Sequence, residues 1–241
     1  MMLNILALET STDACSVALS KNDVVTSRYE MAPREHAKRL SLMVDDLLLS
    51  NRITIREIDL IAYGIGPGSF TGLRIGASAA QALAFALKVP VFGGCTLECQ
   101  ALNALQSGII EPCDYVLSLI DAKIKKIYWS LILFEDNHPV TVFGPEATTI
   151  VEFPWDQVLT SIQGRHLQVV GDAADLLMQD KPVTTKVTMK FFNQARPHAK
   201  SLLKSAVLAH ESDQLQDARD VNPLYLDGTS SFKKMGSAEG L

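Results

Sequence analysis

Residues 64–76 read GIGPGSFTGLRIG, a turn in which five glycines flank Pro67 and Ser69. The apolar run at 60–64 predicts a buried strand before it. Residues 71–87 carry Ala77, Ala79, Ala80, Ala82, Ala84 and Ala86, which predicts a long helix with a small-residue surface. Glycine permits positive φ and close backbone approach. A helix start also presents free N–H groups that favour anions. Gly66, Gly68 and Ser69 are therefore the candidate anion contacts, with a tight structural corner as the other reading. The stretch is not a Walker A loop, because no Lys-Ser/Thr follows its last glycine, and it does not follow the first strand as a dinucleotide fingerprint would.

Outward from the turn, period and punctuation supply the other elements. Residues 3–8 form an apolar run that ends in Glu9. Cys15, Val17 and Leu19 then alternate with Ser16, Ala18 and Ser20, and a polar turn at 21–23 leads to a third strand at 24–31. Pro33 opens a helix reaching about Ser50, with Leu40, Val44, Leu47 and Leu48 at helical spacing. Thr54 and Glu57 form a capping-box pattern. Beyond the glycine turn come a strand at 89–93 and a helix at 96–105. The opening pattern then recurs: an apolar strand at 115–120 ends in Asp121, and a second strand at 127–134 runs into a polar turn. Strands at 167–171 and 183–192 and helices at 173–178 and 197–210 follow.

Repetition at this distance predicts two related α/β halves rather than a solenoid. A strand–hairpin–helix unit used twice, with an acid ending each first strand, is the outline of the superfamily of actin, hexokinase and the chaperone ATPases. The expected fold is thus actin-like α/β, with two βββαβα-type halves and the second reduced. The halves are placed at residues 1–106 and 107–228, with a small, polar tail at 229–241 expected to fray.

Bulk properties narrow the function. The chain has 241 residues, 47% hydrophobic and 20% charged, ordinary values for a folded protein. A net charge of -5 argues against a broad electrostatic grip on nucleic acid. No segment is an uninterrupted apolar run of the roughly 18 residues a membrane span takes, and the start lacks a basic n-region, so a cytoplasmic protein is expected. Cys15, Cys95, Cys99 and Cys113 are too few for a disulfide scaffold in a chain this long.

Letter by letter, residues 62–76 (AYGIGPGSFTGLRIG) closely resemble the signature of the bacterial TsaB family, also called YeaZ. Three further stretches agree in order: Pro33-Arg34-Glu35-His36, then Ile120-Asp121-Ala122-Lys123 leading to Ile127-Tyr128-Trp129, then Pro223-Leu224-Tyr225-Leu226. The resemblance implies a non-catalytic subunit that pairs with its actin-like paralogue TsaD, which transfers a threonylcarbamoyl group to the adenosine beside the anticodon of certain tRNAs. It implies that TsaE joins through the complex, that a TsaC-type synthase supplies the activated group, that tRNA is met indirectly, and that the isolated chain forms homodimers. The implied partner surface comprises His36, Arg39, Leu40, Met43, Val44 and Leu47 on the first long helix. On the second it comprises Phe70, Leu73, Arg74, Ala77, Ala80 and Ala84. No cofactor is expected on the chain itself, with ATP or ADP only in the context of the complex, and no membrane partner.

The residues fit the absence of catalysis. Where TsaD holds a metal with two histidines four apart, residues 94–103 read GCTLECQALN, with no histidine. Cys95 and Cys99 have that spacing, but two thiolates alone make a poor metal site. The nearest match to a second-half adenosine turn, at residues 170–173, keeps one glycine, Gly171, and Glu9 stands where aspartate is commoner. Ile65 replaces what is often a basic residue in the glycine segment. Rival readings are a free-standing actin-like kinase or a metallopeptidase. A hydrolase built on Ser11, Asp13 or Ser16 lacks any histidine with a supporting pattern.

Overall fold

The structure, a computed structural model, describes residues 3–112, 115–123, 125–135, 138–180, 182 and 187–226. The tail at 229–241, Cys113 and part of the strand expected at 183–192 lie outside the described residues.

The first half contains strands β1 (Ile5–Glu9), β2 (Ala14–Lys21) and β3 (Val24–Met31), helix α1 (His36–Ser50), β4 (Leu60–Gly66), α2 (Phe70–Leu87), β5 (Val91–Cys95) and α3 (Thr96–Gln106). The second half contains β6 (Tyr115–Lys123), β7 (Lys126–Glu135), β8 (His138–Thr149), α4 (Trp155–Ile162), β9 (Leu167–Val170), α5 (Ala174–Met178), β10 (Met189–Phe192) and α6 (Lys200–Glu211). Each half forms a five-stranded sheet, ordered β3-β2-β1-β4-β5 in the first and β10-β9-β6-β7-β8 in the second. Counted within their own half, the second set of strands repeats the first order. In both, the first strand pairs antiparallel with the second and parallel with the fourth. This is the duplicated actin-like α/β fold. Among the described residues the second half has as many elements as the first, so its reduction lies in shorter strands and helices such as β9, β10 and α5.

The central strands are apolar on both faces because both faces are covered. Leu6, Leu8, Ile61 and Tyr63 point into a core with α1 and α2, whereas Ile5, Ala7, Leu60 and Ala62 point the other way, against Leu202, Leu203 and Ala206 of α6. In the second sheet Leu117, Leu119, Trp129 and Val169 pack with α4 and α5, while Val116, Ile132 and Val170 meet Ala101 and Ala104 of α3. The last helix of each half thus covers the sheet of the other. Polar anchors fix the exchange. The Gln100 amide on α3 donates to the Ser118 hydroxyl and the Leu119 carbonyl, and the Ala199 N–H before α6 donates to the Ser16 hydroxyl.

By length and composition α2 is apolar enough to cross a membrane, at mean hydropathy 1.2 over 18 residues. Here Ala77, Ala80 and Ala84 lay one face on the first core, and Leu73 is buried beside Gly66. Only 33% of the helix is buried, so much of its apolar surface faces outward.

Candidate functional site

The glycine segment forms the corner from β4 into α2, pressed onto the turn after β1. Gly66 has φ +119°, and a Cβ there would lie 2.7 Å from the Leu224 carbonyl oxygen. At Gly72 a Cβ would lie 2.0 Å from the Thr10 carbonyl oxygen. Hydrogen bonds close the contact. The Ser69 N–H donates to the Ser11 carbonyl at 2.7 Å, the Thr10 hydroxyl donates to the Gly72 carbonyl at 2.8 Å, and the Ser69 hydroxyl caps the Gly72 N–H at 3.4 Å. Of the anion candidates, Ser69 has its N–H committed and its hydroxyl oxygen accepting from Gly72, and at Gly66 and Gly68 the Cβ direction points at the carbonyls of Leu224 and Ser11. Carbonyl oxygens repel an anion.

Glu9 ends β1 beneath this corner, 1% exposed. One of its oxygens accepts the Ser11 N–H and hydroxyl, and the other, Oε2, has no partner. A Cβ on Gly64 would lie 2.0 Å from Oε2, so only glycine leaves room for the longer acid. Burial pushes the Glu9 carboxyl above its ordinary value, against the opposing hydrogen bonds from Ser11 and Thr10.

Between the halves lies a polar cleft of about 670 Å³, lined by Asp13, Asp121, Lys123 and Asp172 and rimmed by Arg74 and Tyr225. Lys123 pairs with Asp121 at 2.9 Å, and that bond raises the lysine's pKa. The Asp121 N–H donates to Asp172 at 2.8 Å. Burial is the first cause that raises Asp172. Three carboxylates thus face one paired lysine, with Arg74 at the rim as the cleft's other cation. At Gly171 the backbone packs so tightly that a Cβ would lie 1.8 Å from the Leu119 carbonyl and 2.4 Å from the Gln100 amide.

The second concavity is an apolar groove of about 780 Å³ between α1 and α2. Leu40 and Val44 form one wall, and Ile75, Ala79, Ala82 and Leu83 the other. Phe70, Arg74 and Asp45 stand in its lining as its larger or charged groups. Phe70 is 55% exposed.

The residues expected at a partner surface divide sharply. Phe70 and Arg74 face outward, and Leu40 and Val44 reach the groove wall from the core. Met43, Leu47, Leu73, Ala77, Ala80 and Ala84 are buried within the chain itself. Arg39 is already paired with Glu30. His36 is internal: its Nε2 lies 2.8 Å from the Thr12 carbonyl and 3.3 Å from that of Ala14, tying the start of α1 to the turn after β1. Ser78, Ala82 and Phe85 also face outward on α2, at i, i+4 and i+7, though only Phe70 and Arg74 of the outward residues of this helix are in the expected partner surface. Tyr225, which clasps Arg74 from 151 residues away, belongs to the Pro223–Leu226 stretch, whose sequence carries no sign of the contact.

The Cys95 and Cys99 thiols are not poised for chemistry. Burial pushes Cys95 up to about 12 and Cys99 well above its ordinary value, and the Cys99 thiol donates to the His198 carbonyl. Among the described residues no three His, Cys, Asp or Glu side chains cluster as metal ligands.

A protein of Escherichia coli strain K12 named tRNA threonylcarbamoyladenosine biosynthesis protein TsaB is 30% identical, over 98% of this chain and 100% of its own length. The chain belongs to the TsaB (YeaZ) family. The TsaB protein of Haemophilus influenzae is likewise 30% identical, over 98% of this chain and 99% of its own. The solved structure of YeaZ from Pseudomonas aeruginosa superposes with a TM-score of 0.81 at 32% identity, covering 93% of this chain and 100% of that one. The family described as TsaD, tRNA N6-adenosine threonylcarbamoyltransferase, matches residues 23–138. For a TsaB protein the matched segment runs from β3 to the end of β7 and includes both helices of the groove.

Proposed function

We propose that this chain serves tRNA threonylcarbamoyladenosine biosynthesis as a non-catalytic scaffold that docks TsaD through the α1–α2 groove. The observation that carries the reading is α2 itself, an 18-residue apolar helix with only 33% of its residues buried. Its uncovered side, with the opposing face of α1, forms an apolar groove of the size a partner helix fills. The similarity to TsaD over residues 23–138 supports a pairing of related folds through the same two helices. The isolated chain uses this face to pair with a second copy. TsaE joins through the complex, a TsaC-type synthase supplies the activated group, and tRNA is met through the assembly. The protein works in the cytoplasm.

Two further observations support the absence of intrinsic catalysis. The Ser69 N–H at the corner is held by the Ser11 carbonyl, and the cleft between the halves is lined by three carboxylates. Nucleotide is therefore held only in the context of the complex, and the chain holds no metal of its own. Size-exclusion chromatography with and without TsaD tests the proposal. A mixed complex is expected under conditions that dissociate the homodimer, and its failure to form overturns the reading. ATP turnover by the purified chain without TsaD would overturn it equally.

A further inference from the structure

Arg74 stands where the apolar groove and the polar cleft meet, and it lines both. Helical spacing puts it one turn beyond Phe70, on the same face of α2. Its guanidinium carbon lies 3.8 Å from the centroid of the Phe70 ring. Its Nε donates to the Tyr225 hydroxyl at 3.0 Å, and the Tyr225 ring packs on Phe70 with centroids 5.3 Å apart. Tyr225 is itself held, because the neighbouring Leu224 N–H donates to the Ile65 carbonyl at 2.7 Å. Two aromatic rings and one hydrogen bond thus fix a long side chain that would otherwise be free in solvent. Yet no carboxylate among the described residues pairs with it.

We infer that Arg74 is the ion-pairing anchor of the groove, receiving a carboxylate side chain from the helix that docks there. The inference rests on the subunit reading above and adds the chemistry of the partner: an apolar helix face bearing an Asp or Glu that meets Arg74. With Nε engaged by Tyr225, the terminal nitrogens remain for an incoming acid, and guanidinium matches carboxylate geometry with parallel hydrogen bonds. Docking against apolar walls removes water from the guanidinium, so a partner without an acid at that point leaves a buried charge unpaired. The pose is paid for within the chain, which lowers the ordering cost at association. A protein carboxylate is favoured over an RNA phosphate by charge. Asp13, Asp121 and Asp172 line the adjoining cleft, and the chain carries a net charge of -5, so a polyanion is repelled where a single acid on a helix is not.

The test measures the affinity of the full chain for TsaD by calorimetry, using wild type, Arg74→Gln, Arg74→Lys and Tyr225→Phe at two salt concentrations. Arg74→Gln weakens binding on the order of tenfold to a hundredfold and flattens its salt dependence, with an unchanged thermal melt. Arg74→Lys restores only part, because a point charge lacks the paired donors. Tyr225→Phe keeps the charge but frees the side chain, and weakens binding by about threefold to tenfold with the salt dependence retained. Wild-type binding that Arg74→Gln leaves intact overturns the anchor and spares the subunit reading. Loss of affinity for a tRNA probe with TsaD affinity unchanged also overturns it, assigning Arg74 to phosphate. Absence of any wild-type complex overturns both.

Discussion

With one oxygen bonded to Ser11 and the other facing Gly64, the Glu9 carboxyl is enclosed by protein and raised in pKa by burial. Folding therefore takes up a proton at pH values between the ordinary 4.5 and the raised folded value. Its contribution to stability is full below the ordinary value and is lost as pH rises through the folded one. Glu9→Gln keeps the shape and removes the titration, so it is expected to be more stable than wild type at neutral pH and no more stable in mild acid. Urea midpoints measured across pH check this, and parallel curves for the two proteins would count against it. Gly72 carries the opposite kind of demand. Glycine in a helix interior costs up to about 1 kcal/mol relative to alanine, so propensity alone favours Gly72→Ala. A Cβ only 2.0 Å from the Thr10 carbonyl forces the corner off the turn after β1, at a cost of about 1–3 kcal/mol. Packing outweighs propensity. Gly72→Ala is expected to lower the urea midpoint.

On α2, substitutions two residues apart separate the core from the proposed partner surface. Ala80 is fully buried against the first sheet, so Ala80→Arg introduces an unpaired charge and excess volume, costing about 3 kcal/mol or more. Ala82 is exposed on the groove wall, so Ala82→Arg is expected to leave the melt unchanged and to abolish the mixed complex with TsaD. Circular dichroism melts and size-exclusion profiles of the two variants check both halves of that statement. Met43→Asp belongs with Ala80→Arg, since Met43 is 7% exposed inside the same core. The helices and their apolar faces were legible in the sequence, because 3.6-residue spacing marks which positions are apolar. Which apolar positions face inward was not, because α2 is small and apolar nearly all round and its period carries no direction. Strand β8 was missed for a related reason: Pro139, Gly144 and Pro145 interrupt it, and its residues are all partly exposed. Helix α4 is only eight residues long and has Pro154 at its N-cap, too little for a periodic signal. The glycine corner was legible as a corner, but not the acid beneath it, since Gly64 and Glu9 meet only through the pairing of β1 with β4.

At the scale of the molecule, the repeat in sequence is not expected to give two separable folding units, because α6 packs on the first sheet and α3 on the second. The duplicated strand order was foreshadowed by the recurrence of an apolar strand, an acid and a second strand. The exchange of α3 and α6 was not, because a helix apolar on two faces carries no record of which sheet it covers. On α3, Cys99 joins the core of the first sheet while Ala101 and Ala104 join that of the second, and the Ser201 hydroxyl of α6 bonds to Gln106 at 2.9 Å. A fragment of residues 1–112 keeps every strand of the first sheet but loses α6, uncovering Ile5, Ala7, Leu60 and Ala62. It also leaves α3 without the sheet that buries Ala101 and Ala104. Two apolar faces are then exposed at once, so this fragment is expected to bind the dye ANS and to melt without a cooperative transition. The full chain is expected to unfold in one transition, with coincident fluorescence and circular dichroism curves, because neither sheet is covered until both halves are present. A cooperative, ANS-silent fragment would mean that α3 can fold back over its own sheet. The groove-forming helices α1 and α2 pack on the opposite face of the first sheet from α6. With TsaD docked in the groove as proposed, affinity is expected to depend on the second half through the sheet between them, so that the fragment binds TsaD far more weakly than the intact chain even though it carries the whole groove.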